Sequence, residues 1–348
     1  MNKIIRYLKL ALGIYLNKPF IGPYSVQLGL SDVCNYQCVM CNVFARKSTG
    51  SYQGGNRSLM EFNTAKEVLY SLAEMGTKNI NLCGYGETLI YPRIKEIVAI
   101  AKELKMKVDI TTNGYFLSKE LIDDFSDSKL DGFYISLNSS SKQTYALIHE
   151  GSKQEDFSRI LEAINYAKSK GITVVLSFVV MSINYREIIG FIDLAEKLKV
   201  DEIIFRELGI GYLTDKSLIL NKEAIDELRK LNRNKLSSVA NNFRSFLDVL
   251  GYQKKKAVDC FAGFIGGSII TAQGSVFPCC NCSDSIGNIY ENNIKSIWYS
   301  FKYQSFRRLG KNMHKDDKYP TGCLCKTCPT YTINSRVQHI LFPWRKLF

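Results

Sequence analysis

The chain has no acidic residue before Asp32 and none after Asp317. Those two ends hold Lys3, Arg6, Lys9 and Lys18, then Lys318, Lys326, Arg336, Arg345 and Lys346, which carry most of the formal net charge of +13. The middle is nearly balanced, and no strand-like run interleaves aromatic with basic residues, so no nucleic-acid partner is expected. No apolar run is long enough to span a bilayer, and no small-residue cleavage site follows the first helix, so a transmembrane anchor and a secretory signal are not expected. Internal repeats and low-complexity tracts are missing. Finally, Cys34, Cys38 and Cys41 have no fourth cysteine within forty residues. Three thiolates do not close a tetrahedral zinc site. An odd total of 11 cysteines without a secretory signal favours metal or redox chemistry in a reducing, cytoplasmic compartment over a disulfide framework.

What is present is ample core-forming sequence: 46% of 348 residues are hydrophobic, enough for one large domain and one small one. Residues 1–22 read as a basic amphipathic helix, with Ile4, Ile5, Leu8, Ala11, Leu12, Tyr15 and Leu16 at helical spacing ahead of Pro19. Such a helix either docks on the protein's own core or lies on an anionic membrane surface at the inner face of the membrane; the tail "ILFPWRKLF" shares its character. Residues 23–210 alternate six β-rich runs, "YSVQLGL", "KNINLCG", "KVDITTN", "GFYISLN", "TVVLSFVVM" and "EIIFREL", with helical patterns. Consecutive β–α units imply a parallel sheet with crossover helices, open or curved into a partial barrel, with its ligand site at the C-terminal strand ends. Residues 211–258 read as a helical connector, and residues 259–348 as a small cysteine-rich section with short strands around "SIITAQGSVFPC".

The run "CNYQCVMC" follows the first strand directly. A four-iron cluster held by three thiolates leaves one iron open to a small molecule. The CxxxCxxC spacing resembles the signature of the radical S-adenosylmethionine (SAM) superfamily. That resemblance implies a partial (β/α)6 barrel, a [4Fe–4S] cluster whose open iron chelates the amino and carboxylate groups of SAM, and reductive cleavage of SAM to a 5′-deoxyadenosyl radical. It also implies an external one-electron reductant such as flavodoxin or ferredoxin. "CGYGETLIYP" is similar to the family's glycine–glycine–glutamate motif, in the spaced form Gly84-Tyr85-Gly86-Glu87, whose glycines would admit close approach of backbone to SAM. Asn113 in "TTNG" closes the third strand, and Ser136 and Asn138 in "ISLNSSSKQTYALI" would face the SAM carboxylate or ribose. Met40 stands where the family often has an aromatic, and Asn138 where it often has an aspartate.

A second set, Cys260, Cys279, Cys325 and Cys328, resembles the SPASM/twitch pattern of radical SAM enzymes with auxiliary clusters, with Gly274 and "IGNIYENNIKSIWYSFKYQSFRRLG" in the matching places. Four thiolates suffice for one [4Fe–4S] cluster with every iron bound by protein; the block holds too few correctly spaced cysteines for two. A structural zinc ribbon is the alternative. Cys83 reads as an inert small hydrophobe. Cys280 and Cys282 are candidates for a thiol that donates a hydrogen atom to a substrate radical, or for substitute ligands. His149, Glu150, Arg206 and Glu207 lie near strand ends, where they could orient or deprotonate a substrate. Arg206 and Glu207 alternate in facing, so at most one should point into the barrel.

A closed auxiliary cluster suits electron transfer, which points to two-electron oxidation. The short stretch before Cys34 leaves no room for the peptide-recognition domain of many peptide-modifying relatives, which turns the expectation toward a sugar, aminocyclitol or other small polar or lipid-linked substrate. Radical epimerisation, peptide maturation and, from another class, a zinc-type nucleic-acid-binding protein are the alternatives.

Overall fold

The computed structural model describes residues 3–41, 43, 58–209, 215–231, 239–250, 258–266, 268–280, 282–313 and 331–342. Cys323, Cys325 and Cys328 lie outside them. The elements are α1 (Lys3–Leu16), β1 (Ser25–Leu28), α2 (Phe62–Glu74), β2 (Asn79–Leu82), α3 (Ile94–Glu103), β3 (Lys107–Thr112), α4 (Lys119–Asp127), β4 (Gly132–Ser136), α5 (Lys142–Ile148), α6 (Gln154–Ser169), β5 (Thr173–Val180), α7 (Ile188–Lys197) and β6 (Glu202–Glu207). They continue with α8 (Lys222–Lys230), β7 (Ala240–Asn241), α9 (Phe243–Val249), α10 (Ala262–Ile265), β8 (Ser268–Ile270), β9 (Ser275–Phe277), β10 (Gly287–Asn288), α11 (Ile294–Trp298), α12 (Phe301–Lys311) and α13 (Tyr331–Leu341).

All six expected strands form, and β1 to β6 pair in parallel in sequence order. Crossover helices pack through apolar stripes such as Ile94, Ile97, Val98 and Ala101 of α3, as the 3.6-residue period requires. Ser118 and Ser141 cap α4 and α5 by accepting from the Leu121 and Thr144 N–H groups, which satisfies donors the first helical turn leaves open. The register puts Val26, Leu28, Ile80, Leu82, Phe133 and Ile135 on one face of the sheet, all fully buried. The other face carries Gln27, Asn81, Thr111, Ser136, Ser177 and Arg206, a polar lining that only a solvent- or ligand-filled interior sustains.

One expectation about the C-terminal half changes. The connector is not one helical stretch: β7 adds to β6 in parallel, so the sheet grows past its sixth strand. The small cysteine-rich section forms its expected short strands and joins them to the sheet. Its β8 pairs in parallel with β1, and β9 and β10 follow antiparallel, giving the order β10-β9-β8-β1-β2-β3-β4-β5-β6-β7. The open edge of β1 accounts for this, since an unpaired row of N–H and C=O groups recruits a partner strand.

Candidate functional site

The segment carrying Cys34, Cys38 and Cys41 leaves the C-terminal end of β1 and is strapped on both sides. On one side, Gln37 and Val39 N–H groups donate to the Glu150 and Ile148 carbonyls, at 2.8 and 2.9 Å. On the other, Gly86 and Glu87 N–H groups donate to the Ser31 and Val33 carbonyls, at 3.1 and 2.8 Å. Burial pushes the Cys34 thiol up to about 11, with Glu87 and Cys41 adding to it. Burial raises the Cys38 thiol well above its ordinary value, reinforced by Cys41 and Cys34. The three sulfurs therefore stand within electrostatic reach of one another. Among the described residues, no three His, Cys, Asp or Glu side chains close on a single ion. A cubane instead places each thiolate on its own iron, further apart. Buried thiolates that repel one another are stable only when bound metal offsets their charge, so this donor set fits an iron–sulfur cluster.

His149 is placed behind this loop. It is buried, its Nδ1 lies 3.1 Å from the Cys38 Sγ, its Nε2 lies 3.3 Å from the Leu137 carbonyl, and its ring stacks on Tyr145 at 4.4 Å. Desolvation lowers its pKa to about 4. With those contacts the ring backs the cysteine loop against the end of β4. Glu150, half-buried in the same stretch, holds the loop through its backbone carbonyl. Met40 packs against Ile148, Met181 and Leu218.

The glycine–glutamate loop is built mainly for this packing. A Cβ on Gly86 would sit 2.3 Å from the Val33 carbonyl oxygen and 2.6 Å from its nitrogen, and one on Gly84 would sit 3.0 Å from the Gly29 Cα. These glycines let the loop touch the cysteine segment. The buried Glu87 carboxylate accepts from Leu89 N–H, Thr112 hydroxyl and Asn113 N–H, at 2.9, 2.6 and 2.8 Å. Burial raises its pKa against those three donors. Asn113 Nδ2 donates to Asn35 Oδ1 at 2.9 Å. Asn138, at φ 58°, is fully buried, and its Oδ1 accepts from Val179 N–H at 2.8 Å. Glu87, Asn113 and Asn138 thus tie neighbouring segments of the site together through their side chains. Asn35, which sequence reasoning passed over, has a buried Nδ2 with no hydrogen-bond partner among the described residues. A spare amide donor beside the cysteines fits a carboxylate-bearing cofactor.

Ser136 keeps its expected place at the end of β4 on the polar face, level with Ser177. Arg206 faces the same way and donates from Nε to the Ser177 hydroxyl at 3.2 Å. Glu207 falls on the opposite face, level with Val180, so only Arg206 serves the interior. Cys83, just past β2, is pushed up to about 12 by burial and by Cys280, with Arg206 opposing. The register sets Cys83 on the same face of the sheet as Arg206. Cys83 is therefore not an isolated core cysteine: it shares the interior with Arg206 and the exposed Cys280. Cys282 is buried and belongs to the main hydrophobic core.

In the auxiliary section, Cys260 donates its N–H to the Gly310 carbonyl at 2.8 Å. Cys260 and Cys279 both act on Tyr303, whose pKa rises to about 12, chiefly through burial. Arg307 is buried beside them. It donates to the Gly263 and Trp298 carbonyls at 2.6 and 2.8 Å and lies over the Trp298 and Tyr303 rings. Its Nη1 has no hydrogen-bond partner, and no carboxylate pairs with it among the described residues. Desolvation lowers its pKa to about 10. A buried cation without an acid fits a site whose bound group is an anion, as a thiolate-ligated cluster is.

Residues 28–195 match the family model of the radical SAM superfamily, and residues 260–329 match the SPASM model, an iron–sulfur cluster-binding domain. Every one of the 11 cysteines falls within these two segments. The chain belongs to the radical SAM superfamily and carries a C-terminal SPASM domain; its cofactors are SAM and [4Fe–4S] clusters. An uncharacterized protein of Methanocaldococcus jannaschii is 27% identical over 224 residues, 63% of this chain and 70% of that protein. Among solved structures, SuiB of Streptococcus suis with SAM bound superposes with a TM-score of 0.66 at 19% identity, covering 85% of this chain and 70% of SuiB. The protein anSMEcpe with SAM bound superposes at 0.63 and 15% identity, covering 93% of this chain and all of its own, 100%. These likenesses establish the fold.

Proposed function

We propose that Cys34, Cys38 and Cys41 hold the SAM-binding cluster, that Cys260, Cys279, Cys325 and Cys328 hold one auxiliary cluster, and that the enzyme oxidises a small polar substrate by two electrons. A sugar, aminocyclitol or other small polar molecule is the substrate class. When bound, the cluster and SAM supply a radical able to take hydrogen from an unactivated C–H bond. The chain's own residues orient the substrate and exclude water. The carrying observation is the polar interior face. Thr111 donates to Asn81 at 3.0 Å and Arg206 is held on Ser177. With Ser136, these form a row of hydroxyl, amide and guanidinium groups that matches a polyhydroxylated ligand. The four-thiolate set leaves no iron open to substrate, which favours electron acceptance, with flavodoxin or ferredoxin as the external reductant. Cys282 is a candidate substitute ligand.

The test is turnover of sugar and aminocyclitol panels by anaerobically reconstituted enzyme. Oxidation predicts one SAM consumed per oxidised product and no solvent deuterium at the reacting carbon. An inverted carbon carrying solvent deuterium would overturn it in favour of epimerisation. That second reading is supported by Cys280, which is exposed and within electrostatic reach of Cys83 on the interior face. It predicts that Cys280→Ala abolishes deuterium incorporation. Peptide products alone would move the enzyme to peptide maturation, the class in which SuiB has been captured with its precursor peptide SuiA.

A further inference from the structure

Helix α1 is mounted with its apolar stripe facing outward. Towards the protein it turns Arg6, Leu10, Gly13 and Ile14. The Arg6 guanidinium donates to the Gly76 and Gly22 carbonyls at 2.6 and 3.4 Å and lies over the Tyr24 ring. Ile14 is buried among Phe261, Phe264 and Phe342. On the opposite face stand Ile4, Ile5, Leu8, Leu12, Tyr15 and Leu16, between 47% and 67% exposed. A surface helix ordinarily does the reverse, because apolar side chains gain by leaving water. Two groups fix the mounting: Arg6, whose hydrogen bonds reach the loops ahead of β1 and β2, and Lys311, which donates to the Tyr15 carbonyl at 2.6 Å.

We infer that this face of α1 docks into the surface of an anionic lipid bilayer. The charge around it selects that occupant. Lys9 flanks the apolar face and is exposed, Lys18 follows the helix, and no acidic residue occurs in the first 31 positions or the last 31. A second copy of the chain would bring like charges together, whereas an anionic headgroup layer answers both the lysines and the apolar face. No helix among the described residues is long and apolar enough to cross a membrane, so the contact is peripheral. Arg6 reaches the loops at the N-terminal ends of β1 and β2, while the cysteine loop, Cys83 and Ser136 stand at or beyond the C-terminal strand ends. The bilayer and the site therefore lie at opposite ends of the barrel, and the mouth opens away from the lipid, towards a substrate arriving from the aqueous side. The docking does not depend on which reaction the site performs.

The test uses the full-length, cluster-loaded enzyme in flotation with vesicles of phosphatidylcholine alone or with about one third phosphatidylglycerol. Wild type is expected to float with the anionic vesicles, less so in high salt. The Leu8→Ser/Leu12→Ser double variant is expected to lose affinity by at least about tenfold while cleaving SAM in solution as wild type does. Lys9→Glu should weaken anionic binding severalfold and leave the residual affinity for phosphatidylcholine unchanged. A wild type that stays unbound overturns the inference. If it is then a dimer that the double variant dissolves, the face belongs to a second copy. Equal flotation of wild type and double variant also overturns it, by placing the lipid contact elsewhere.

Discussion

The two cysteine sites solve one problem, holding thiolates out of water, by opposite means. Around Cys34, Cys38 and Cys41 the support is polar: Glu87, Asn113 and Asn35 form a hydrogen-bonded chain, and His149 closes the back. Around Cys260 and Cys279 it is aromatic and cationic: Trp298, Tyr303 and a buried Arg307, on helices that follow strands continuing the barrel sheet through β1. The first arrangement holds an unpartnered amide donor, Asn35 Nδ2, and the second an unpartnered guanidinium nitrogen, Arg307 Nη1.

The strongest way to break this comparison is to empty one site at a time. Replacing Cys34, Cys38 and Cys41 with alanine should remove about four of about eight irons and abolish SAM cleavage. Cys279→Ala should also cost about four irons yet leave SAM cleavage standing, while substrate turnover collapses. Iron analysis with separate assays of 5′-deoxyadenosine and product checks both; equal loss of SAM cleavage in the two variants would erase the distinction. Next, Gly86→Ala forces a Cβ into the Val33 backbone and should cost about 3 kcal/mol or more in chemical denaturation, with the first cluster lost and the auxiliary one retained. Arg307→Met leaves the Gly263 and Trp298 carbonyls without their donor and should cost about 2 kcal/mol. A redox titration followed by electron paramagnetic resonance should show the auxiliary midpoint lowered and the first cluster's unchanged. The smallest effect is expected of Asn35→Ala. It gives up one hydrogen bond, about 1 kcal/mol of stability, and its signature is weaker SAM binding, read as a raised KM for SAM with little change in kcat.

Much of this was legible in the linear chain. The six strands and their order follow from apolar runs of strand length broken by helical periodicity, and the cysteine loop's place after β1 follows from adjacency alone. The roles of individual side chains were less legible. His149, Glu87, Asn113 and Asn138 sit in motif positions, and motif position does not reveal whether a side chain faces a ligand or a neighbouring loop. Arg307 carried no signal at all, because an arginine in a helix reads as surface until the rings around it are known. Cys83 looked inert for the same reason: its partners, Arg206 and Cys280, are far away along the chain.

By itself the sequence determined the chemistry class, since three thiols within eight positions and a glycine–glutamate turn can be recognised without knowing what they touch. It also determined that α1 would be amphipathic, because the period belongs to the helix. Which face of α1 turns outward, which of Arg206 and Glu207 reaches the interior, and which partners the motif's polar groups take were decided only in three dimensions. Each of those outcomes depends on a partner distant in sequence: Gly76 for Arg6, Ser177 for Arg206, Val33 for Gly86. Burial and hydrogen bonding are satisfied in space, where neighbours along the chain have no priority.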